Sequence, residues 1–322
     1  MTGVHLLLFA AAVSVLAPRM LAGAGWVYRA PRLGIAAWYA VLAAFVSAVA
    51  GAVVAVLAPW QATNAPICAA WRWCVQAARG EFGVAGRAVA ALAAVVGLVL
   101  AVRLVVTAVR LGRAAARRRR AHALMLAVAG RRQPHLDATV IDDPRPAAYL
   151  VAGRRRRVVV TTGALNQLTD EEVAAVLAHE RAHATGRHAL LLDAARLLHR
   201  AFPRMVLFTI AHAQLARLVE LRADELATRE HSRISLARAL VAVASATATD
   251  EPVPGGLAGA VPAAGGDAAE RLHRLLAPPD PLSGLHRRAV AMALAALAVT
   301  PPAILAAAQL FPVLGMCPVL SS

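Results

Sequence analysis

The sequence has few charged and few aromatic residues. Of its 322 residues, 16% are charged and 4% are aromatic, whereas 59% are hydrophobic and the mean hydropathy is +0.60. Ordinary soluble domains carry about 25% charged residues, so the composition is typical of an integral membrane protein. The 34 basic residues outnumber the 18 acidic ones, as expected if arginine is concentrated on cytoplasmic segments. No nucleic-acid-binding motif accompanies this excess, and we expect no direct nucleic-acid binding.

Long uncharged runs are the first positive feature. Four of them reach the length of about 20 apolar residues that a membrane-spanning helix needs. The first resembles a signal peptide in position, but its arginines follow the apolar run instead of preceding it, which favours an uncleaved span with the amino terminus outside. The third is followed by dense arginines, a stop-transfer pattern. The predicted spans are about 4–24, 35–58, 88–109 and 289–311.

The arginines between the first two spans set the predicted orientation. If that connection is cytoplasmic, loop 59–87 lies outside and the long segment after the third span returns inside. The sequence therefore predicts a multi-pass protein of the cell membrane, embedded in the lipid bilayer. It would have three spans in 1–111, a cytoplasmic domain over 112–288, and a fourth span with a short outer tail in 289–322.

Only three cysteines occur, and none lies in the predicted cytoplasmic domain. Cys68, Cys74 and Cys317 all fall on predicted outer segments, as expected if only the outer face is oxidising. A disulfide between Cys68 and Cys74 is one interpretation. Two reduced thiols beside Trp71 and Trp73 are the other.

The segment 112–288 is large enough to form its own core. It begins with a basic helix at about 112–131, after which three short strands separated by Pro and Gly-Arg turns are predicted at Ala138–Ile141, Ala147–Val151 and Val158–Thr162. Further helices follow: one starts at a capping box of Thr169 and Glu172, and others lie at 188–202, 205–230 and 268–277. The predicted fold class is an α-helical membrane protein with an inserted α+β zincin-like domain, mostly helical with a small sheet.

The capped helix carries the motif with the clearest chemistry, within VLAHERAHATGRH at 176–188. His179 and His183 are one helical turn apart, so both imidazoles can reach one metal ion. Glu180 lies beside that face, where it can take a proton from an attacking water.

A second acidic pair supplies the missing ligand. A catalytic zinc ion wants a third protein ligand and one open position. In the stretch ELRAD, Glu220 and Asp224 are again one turn apart, on a separate helix. Glu220 would ligate the metal, and Asp224 could accept a hydrogen bond from the far ring nitrogen of His179 or His183. The alternative is a solvated acidic helix face, but such a pair stands out in an acid-poor chain.

Together these residues resemble a known group. The stretch 135–232 is similar to the gluzincin membrane metallopeptidases of the beta-lactam sensor-transducer type, the BlaR and MecR antirepressors, with the HtpX and CAAX-prenyl endopeptidase group as a close cousin. The resemblance implies one Zn²⁺ ion per chain, held by His179, His183 and Glu220, with Glu180 as catalytic base and Asp224 behind the ligands. The sequence ERLHRLL at 270–276 is similar to the short arginine-bearing helix that closes such domains.

Two features depart from that group. Sensor-transducers carry a penicillin-binding domain after the last span, whereas this chain ends soon after its fourth predicted span, so we expect no C-terminal sensor domain. His188 stands where an ordinary polar residue is usual; a transition-state contact is the alternative.

The resulting expectation is a zinc metalloendopeptidase acting on a protein or peptide substrate by metal-assisted hydrolysis. The strand Val158–Thr162, if it is an exposed edge, would hold the substrate in extended form. Three hypotheses stay open: regulatory cleavage of a transcriptional repressor, quality control of membrane proteins, and a non-catalytic signalling scaffold stabilised by zinc. A structural zinc usually has four protein ligands, often cysteines, which disfavours the scaffold.

Overall fold

A computed structural model of the chain describes residues 2–57, 84–151, 157–247 and 265–315. Most of the predicted outer loop 59–87, the proposed Cys68 and Cys74 disulfide, Cys317 and most of the outer tail lie outside the described residues.

The amino-terminal part is helical: α1 (Thr2–Ala22), α2 (Gly25–Arg29), α3 (Pro31–Leu57) and α4 (Val84–Ala129). α1, α3 and α4 coincide with the first three predicted spans and are long and apolar enough to cross a membrane. One expectation was wrong in detail, because the basic helix predicted at 112–131 is the continuation of α4. The change from apolar to basic residues is not a break in the backbone, and no proline interrupts the helix.

A four-stranded sheet follows, made of β1 (Arg131–Gln133), β2 (Ala138–Ile141), β3 (Ala148–Val151) and β4 (Arg157–Thr161). The spatial order is β1-β2-β4-β3, with β2 parallel to β4 and the other pairs antiparallel. The condition under which β4 would hold the substrate, that it is an exposed edge, is therefore not met. β3 pairs with one side of β4 and β2 occupies the other, so β3 and β1 form the edges of the described sheet.

The rest of the described chain is helical: α5 (Thr162–Gln167), α6 (Asp170–Thr185), α7 (His188–Ala201), α8 (Val206–Ala227), α9 (Arg233–Thr247), α10 (Gly265–Leu276) and α11 (Gly284–Gly315). α11 coincides with the fourth predicted span. The capping box of Thr169 and Glu172 is present and fixes the start of α6. α9 was not predicted.

Among the apolar clusters of the described residues, two position the site. In the first, the sheet packs on α6 through residues such as Val158, Val160 and Val176. In the second, α8 packs on α1 and α3, burying Leu207, Phe208, Leu215 and Leu218 of α8 together with Val13, Trp38, Val41 and Leu42. α8 therefore joins the domain to the long apolar helices, and it also lies against α6.

Candidate active site

Two histidines of α6 and one glutamate of α8 converge where these helices pack together. The Nε2 atoms of His179 and His183 are 3.1 Å apart. Glu220 Oε2 lies 3.5 Å from His179 Nε2, and Glu220 Oε1 lies 3.5 Å from His183 Nε2. The ligand atoms of these three residues all lie within 4.8 Å of one another. The two histidines, paired by their spacing along α6, and the glutamate of the later helix therefore face the same point.

The arrangement fits a zinc ion. Donor atoms about 2.0–2.1 Å from a tetrahedral zinc lie about 3.3 Å apart, and the observed separations are 3.1 and 3.5 Å. His179 is buried, whereas 36% of the Glu220 side chain is exposed. Two histidines and one glutamate are the protein ligands of several catalytic zinc sites, which leave the fourth position to water or substrate. His179, His183 and Glu220 are thus the residues that could hold the metal.

Asp224 stands behind His179. Its Oδ1 atom lies 3.0 Å from His179 Nδ1, the nitrogen that faces away from Glu220, although the contact does not meet hydrogen-bond geometry. Such a carboxylate orients a metal-binding imidazole and favours the tautomer whose Nε2 is free to bind. Of the two partners that the sequence left open for Asp224, the structure places it beside His179.

Arg271 of α10 links the two acidic residues. Its Nε and Nη2 atoms donate to both carboxylate oxygens of Asp224 at 2.8 and 2.7 Å. Its Nη1 atom lies 3.2 Å from Glu220 Oε2. The helix ERLHRLL was identified from the sequence by resemblance, but no contact was assigned to Arg271. It lies 47 residues after Asp224, and no local spacing links the two residues.

His188 lies on the far side of His183. The Nδ1 atoms of the two rings are 2.9 Å apart, and His188 is buried. A Cβ atom on Gly186 would lie 2.3 Å from His188 Nε2, so any larger residue there would force this ring to move. Arg187, at φ 51°, makes the left-handed turn between α6 and α7. His188 thus contacts the nitrogen of His183 that faces away from Glu220, which favours a role in holding the ring over contact with a transition state.

The electrostatics of the metal-free cluster favour a bound cation. Burial lowers the pKa of His179, but Asp224 and Glu220 outweigh it and raise the pKa to about 10. Burial raises the pKa of Glu220, yet its contacts with His179, His183 and Arg271 bring it well below the usual value. A divalent ion would take over the positive charge that these carboxylates stabilise. Burial, followed by the charge of His183, lowers the pKa of His188 to about 4, so it is neutral near pH 7.

Glu180 lies next to the cluster and differs from the other acids. Burial is the main cause of its raised pKa, and the two histidines oppose that shift. The backbone N–H of Leu150, on edge strand β3, also interacts with this carboxyl. A carboxyl with a raised pKa beside a metal site is suited to exchange protons.

A partly buried cluster of two histidines and a glutamate, with a carboxyl of raised pKa beside it, fits a site of the mononuclear metallohydrolase class. Comparison with known families agrees. Residues 112–202 match the profile described as peptidase family M48. This stretch contains His179, Glu180, His183 and His188 but ends before Glu220 and Asp224. The match supports a zinc metallopeptidase of gluzincin type and does not distinguish the sensor-transducer type. No solved structure matches the chain.

Proposed function

We propose that this chain is a membrane-embedded zinc metalloendopeptidase that cleaves peptide bonds at the cytoplasmic face of the cell membrane, with a repressor-like protein as its regulatory substrate. The observation that carries the proposal is Glu220, which comes from a separate helix and lies 3.5 Å from the Nε2 atoms of both His179 and His183. Three converging donors from two helices are what a catalytic zinc site requires of the protein.

In this proposal His179, His183 and Glu220 hold the metal. A bound zinc ion supplies Lewis-acid polarisation of the scissile carbonyl and of the attacking water. Glu180 accepts the proton of that water at its carboxylate and returns it to the leaving amine nitrogen. The raised pKa of Glu180 serves the first step, because it makes the carboxylate a stronger base toward the attacking water. Asp224, positioned by Arg271, keeps the His179 ring in its ligating orientation.

The substrate would lie along β3. This strand is an edge of the described sheet, packs beside α6, and brings Leu150 next to Glu180. An extended peptide can add to such an edge through main-chain hydrogen bonds. Binding of that kind depends little on side chains.

Membrane placement is supported by the four long apolar helices and by the contacts at their basic ends. Arg29, just before α3, donates its Nε to the carbonyl of Asp280, just before α11, at 3.0 Å. Arg274 donates to the carbonyl of Tyr28. The connection between α1 and α3 therefore lies at the level where α11 begins. Basic residues at that level are the pattern of a cytoplasmic face.

A catalytic role is favoured over a zinc-stabilised scaffold. Among the described residues the candidate metal cluster has three protein ligands and no cysteine, whereas a structural zinc normally has four protein ligands. The repressor-like substrate, as opposed to damaged membrane proteins, is supported by the resemblance over 135–232.

The test is Glu180→Gln in the purified full-length protein, with zinc content and cleavage of a protein substrate both measured. We expect zinc to be retained and cleavage to be lost, because the ligands are intact and only the proton acceptor is removed. Glu225→Gln is the matched control, since Glu225 lies on α8 and pairs with Arg222 and Arg229 instead of the cluster. Unchanged cleavage in Glu180→Gln, or loss of zinc together with the fold, would contradict the proposal.

A further inference from the structure

The helical hairpin formed by α7 and α8, residues 188–227, lies alongside the long apolar helices. Tyr39 of α3 donates its hydroxyl to the carbonyl of Leu191 in α7. The rings of Phe45 in α3 and Phe208 in α8 meet edge to face, with centroids 5.5 Å apart. The hairpin therefore follows α3 from its amino-terminal part to its middle.

The turn of the hairpin reaches a similar depth on α4. Arg103 of α4 donates its Nε to the carbonyl of Ala201, at the end of α7, and its guanidinium carbon lies 5.8 Å from the centre of the Phe202 ring. Phe45 lies 14 residues after Pro31 and 12 before Leu57, which is about 18–21 Å from either end of α3 at 1.5 Å per residue. If α3 spans the bilayer, the hairpin turn lies near the middle of that span.

Part of the surface of the hairpin that is not covered by α3 is basic. Arg196, His199 and Arg200 follow one another at helical spacing on α7, and the His212 ring of α8 stacks on His199 with centroids 5.6 Å apart. We call these four residues the cationic face. Arg200 is exposed, and Arg196, His199 and His212 are partly exposed. Within the described parts of the chain, no carboxylate forms an ion pair with Arg196 or Arg200.

These positions conflict with a surrounding of pure hydrocarbon. An arginine at the centre of a bilayer is costly and is tolerated where headgroups or water reach it. Phosphate is the anion that guanidinium binds best, through paired hydrogen bonds. To reach this face, headgroups of the inner leaflet must move toward the bilayer centre by no more than about half the length of α3.

We propose that the cationic face binds the phosphate groups of anionic phospholipids of the inner leaflet, drawn inward beside α3. The inference rests on the membrane placement in the proposed function, but not on the catalytic assignment. The hairpin would then fix the position of α8, and hence of Glu220, by contact with lipid headgroups.

The test uses the full-length protein in vesicles, with Cys68, Cys74 and Cys317 replaced by Ser and one exposed alanine replaced by a fluorescently labelled cysteine. Ala213→Cys reports on the cationic face, Ala101→Cys on the apolar part of α4, and Ala127→Cys on its basic end. Quenching is measured with phosphatidylcholine carrying a nitroxide on the headgroup or in the middle of the acyl chain, and with iodide in the water. Vesicles contain phosphatidylcholine alone or mixed with phosphatidylglycerol.

We expect the headgroup nitroxide to quench the probe at 213 more strongly than the acyl-chain nitroxide, and several-fold more in vesicles that contain phosphatidylglycerol. Arg196→Gln combined with Arg200→Gln should abolish that dependence on phosphatidylglycerol. Arg233→Gln combined with Arg238→Gln, which removes two exposed arginines of α9, should leave it unchanged.

Three results would overturn the inference: stronger quenching of the 213 probe by the acyl-chain nitroxide, quenching by iodide alone, or equal quenching with and without phosphatidylglycerol. A separate result bears on the proposed function. If neither lipid nitroxide quenches the probe at 101, the chain is not embedded in the bilayer, and the membrane placement is wrong together with this inference.

Discussion

The contact between His188 and His183 can be broken without altering either residue, by replacing Gly186 with alanine. Gly186 has helical dihedral angles, φ −73° and ψ −4°, so alanine fits its backbone without strain. The new Cβ atom would lie 2.3 Å from His188 Nε2 and 2.6 Å from Cδ2. Ordinary carbon contacts lie at about 3.5 Å or more, so the His188 ring must retreat by roughly 1 Å. The contact of 2.9 Å with His183 Nδ1 would then be lost.

The expected effect on zinc binding follows from that loss. Removing the partner of a metal-binding histidine typically weakens metal affinity by about 10- to 100-fold, which corresponds to about 1.4–2.7 kcal/mol. The effect on folding should be smaller. Replacing glycine at a compatible position stabilises by about 0.4–1 kcal/mol through the unfolded chain, which opposes an overpacking cost of about 1–3 kcal/mol at the crowded ring.

A double-mutant cycle separates these contributions. Zinc affinity is measured by competition with a chelator for Gly186→Ala, His188→Ala and the combination of the two. Gly186→Ala should weaken zinc binding on its own and have no further effect once His188 is alanine, because the two changes break the same contact. Gly112→Ala is the control, since among the described residues no neighbouring atom beyond its own helix backbone lies within 4 Å of its Cβ position. An equal loss of affinity from Gly186→Ala in both backgrounds would refute the reasoning.

Three further predictions concern the supports of the cluster. Asp224→Asn, which keeps the size but loses the charge beside His179, should weaken zinc binding by about 10- to 100-fold in the same competition assay. Arg271→Lys cannot form the paired contact with Asp224 and should lower the free energy of unfolding by about 1.5–3 kcal/mol. Arg229→Lys is the control and should lower it by under about 1 kcal/mol, because the ion pair of Arg229 with Glu225 is exposed. Equal losses in denaturant titrations would contradict this. The isolated segment 112–288 should neither unfold cooperatively nor bind one zinc ion, because α1 and α3 cover the apolar side of α8; a folded fragment that binds zinc would disprove it.

The local parts of the site were predictable because their signals are short-range. A capping box, a helical repeat of two histidines and the glutamate between them occupy 15 consecutive residues from Thr169 to His183. Each signal depends on spacing along one helix, and a helix fixes which side chains share a face. Placing Glu220 opposite them depended on how two helices pack, for which the guides were its pairing with Asp224 in an acid-poor chain and the resemblance over 135–232.

The features that the sequence did not predict are those that long-range pairing or a turn between elements decides. The burial of β4 depends on β3 folding back along one side of it and on β2 pairing with the other, and strand order leaves no trace in a single strand. For His188 the sequence left open an ordinary polar residue and a transition-state contact, and did not predict the contact with His183, which lies five residues earlier and so beyond one helical turn. Its ring reaches His183 only through the left-handed turn at Arg187. A glycine followed by an arginine between two helices was the available signal, and the glycine proved to matter for space rather than for its backbone angles.

The domain boundary at residue 112 marks a change in composition, but the segments on its two sides share an apolar core. One face of α8 belongs to the core shared with α1 and α3, through Leu215 and Leu218. Its last two turns carry Glu220 and Asp224. The candidate zinc ligand Glu220 therefore lies two residues after Leu218, which contacts the apolar helices. Any shift of α8 along α3 would move Glu220 relative to the histidines of α6, which are anchored on the sheet instead. The ligand geometry therefore depends on two cores at once, and a change at the apolar helices can reach the metal site through one rigid helix.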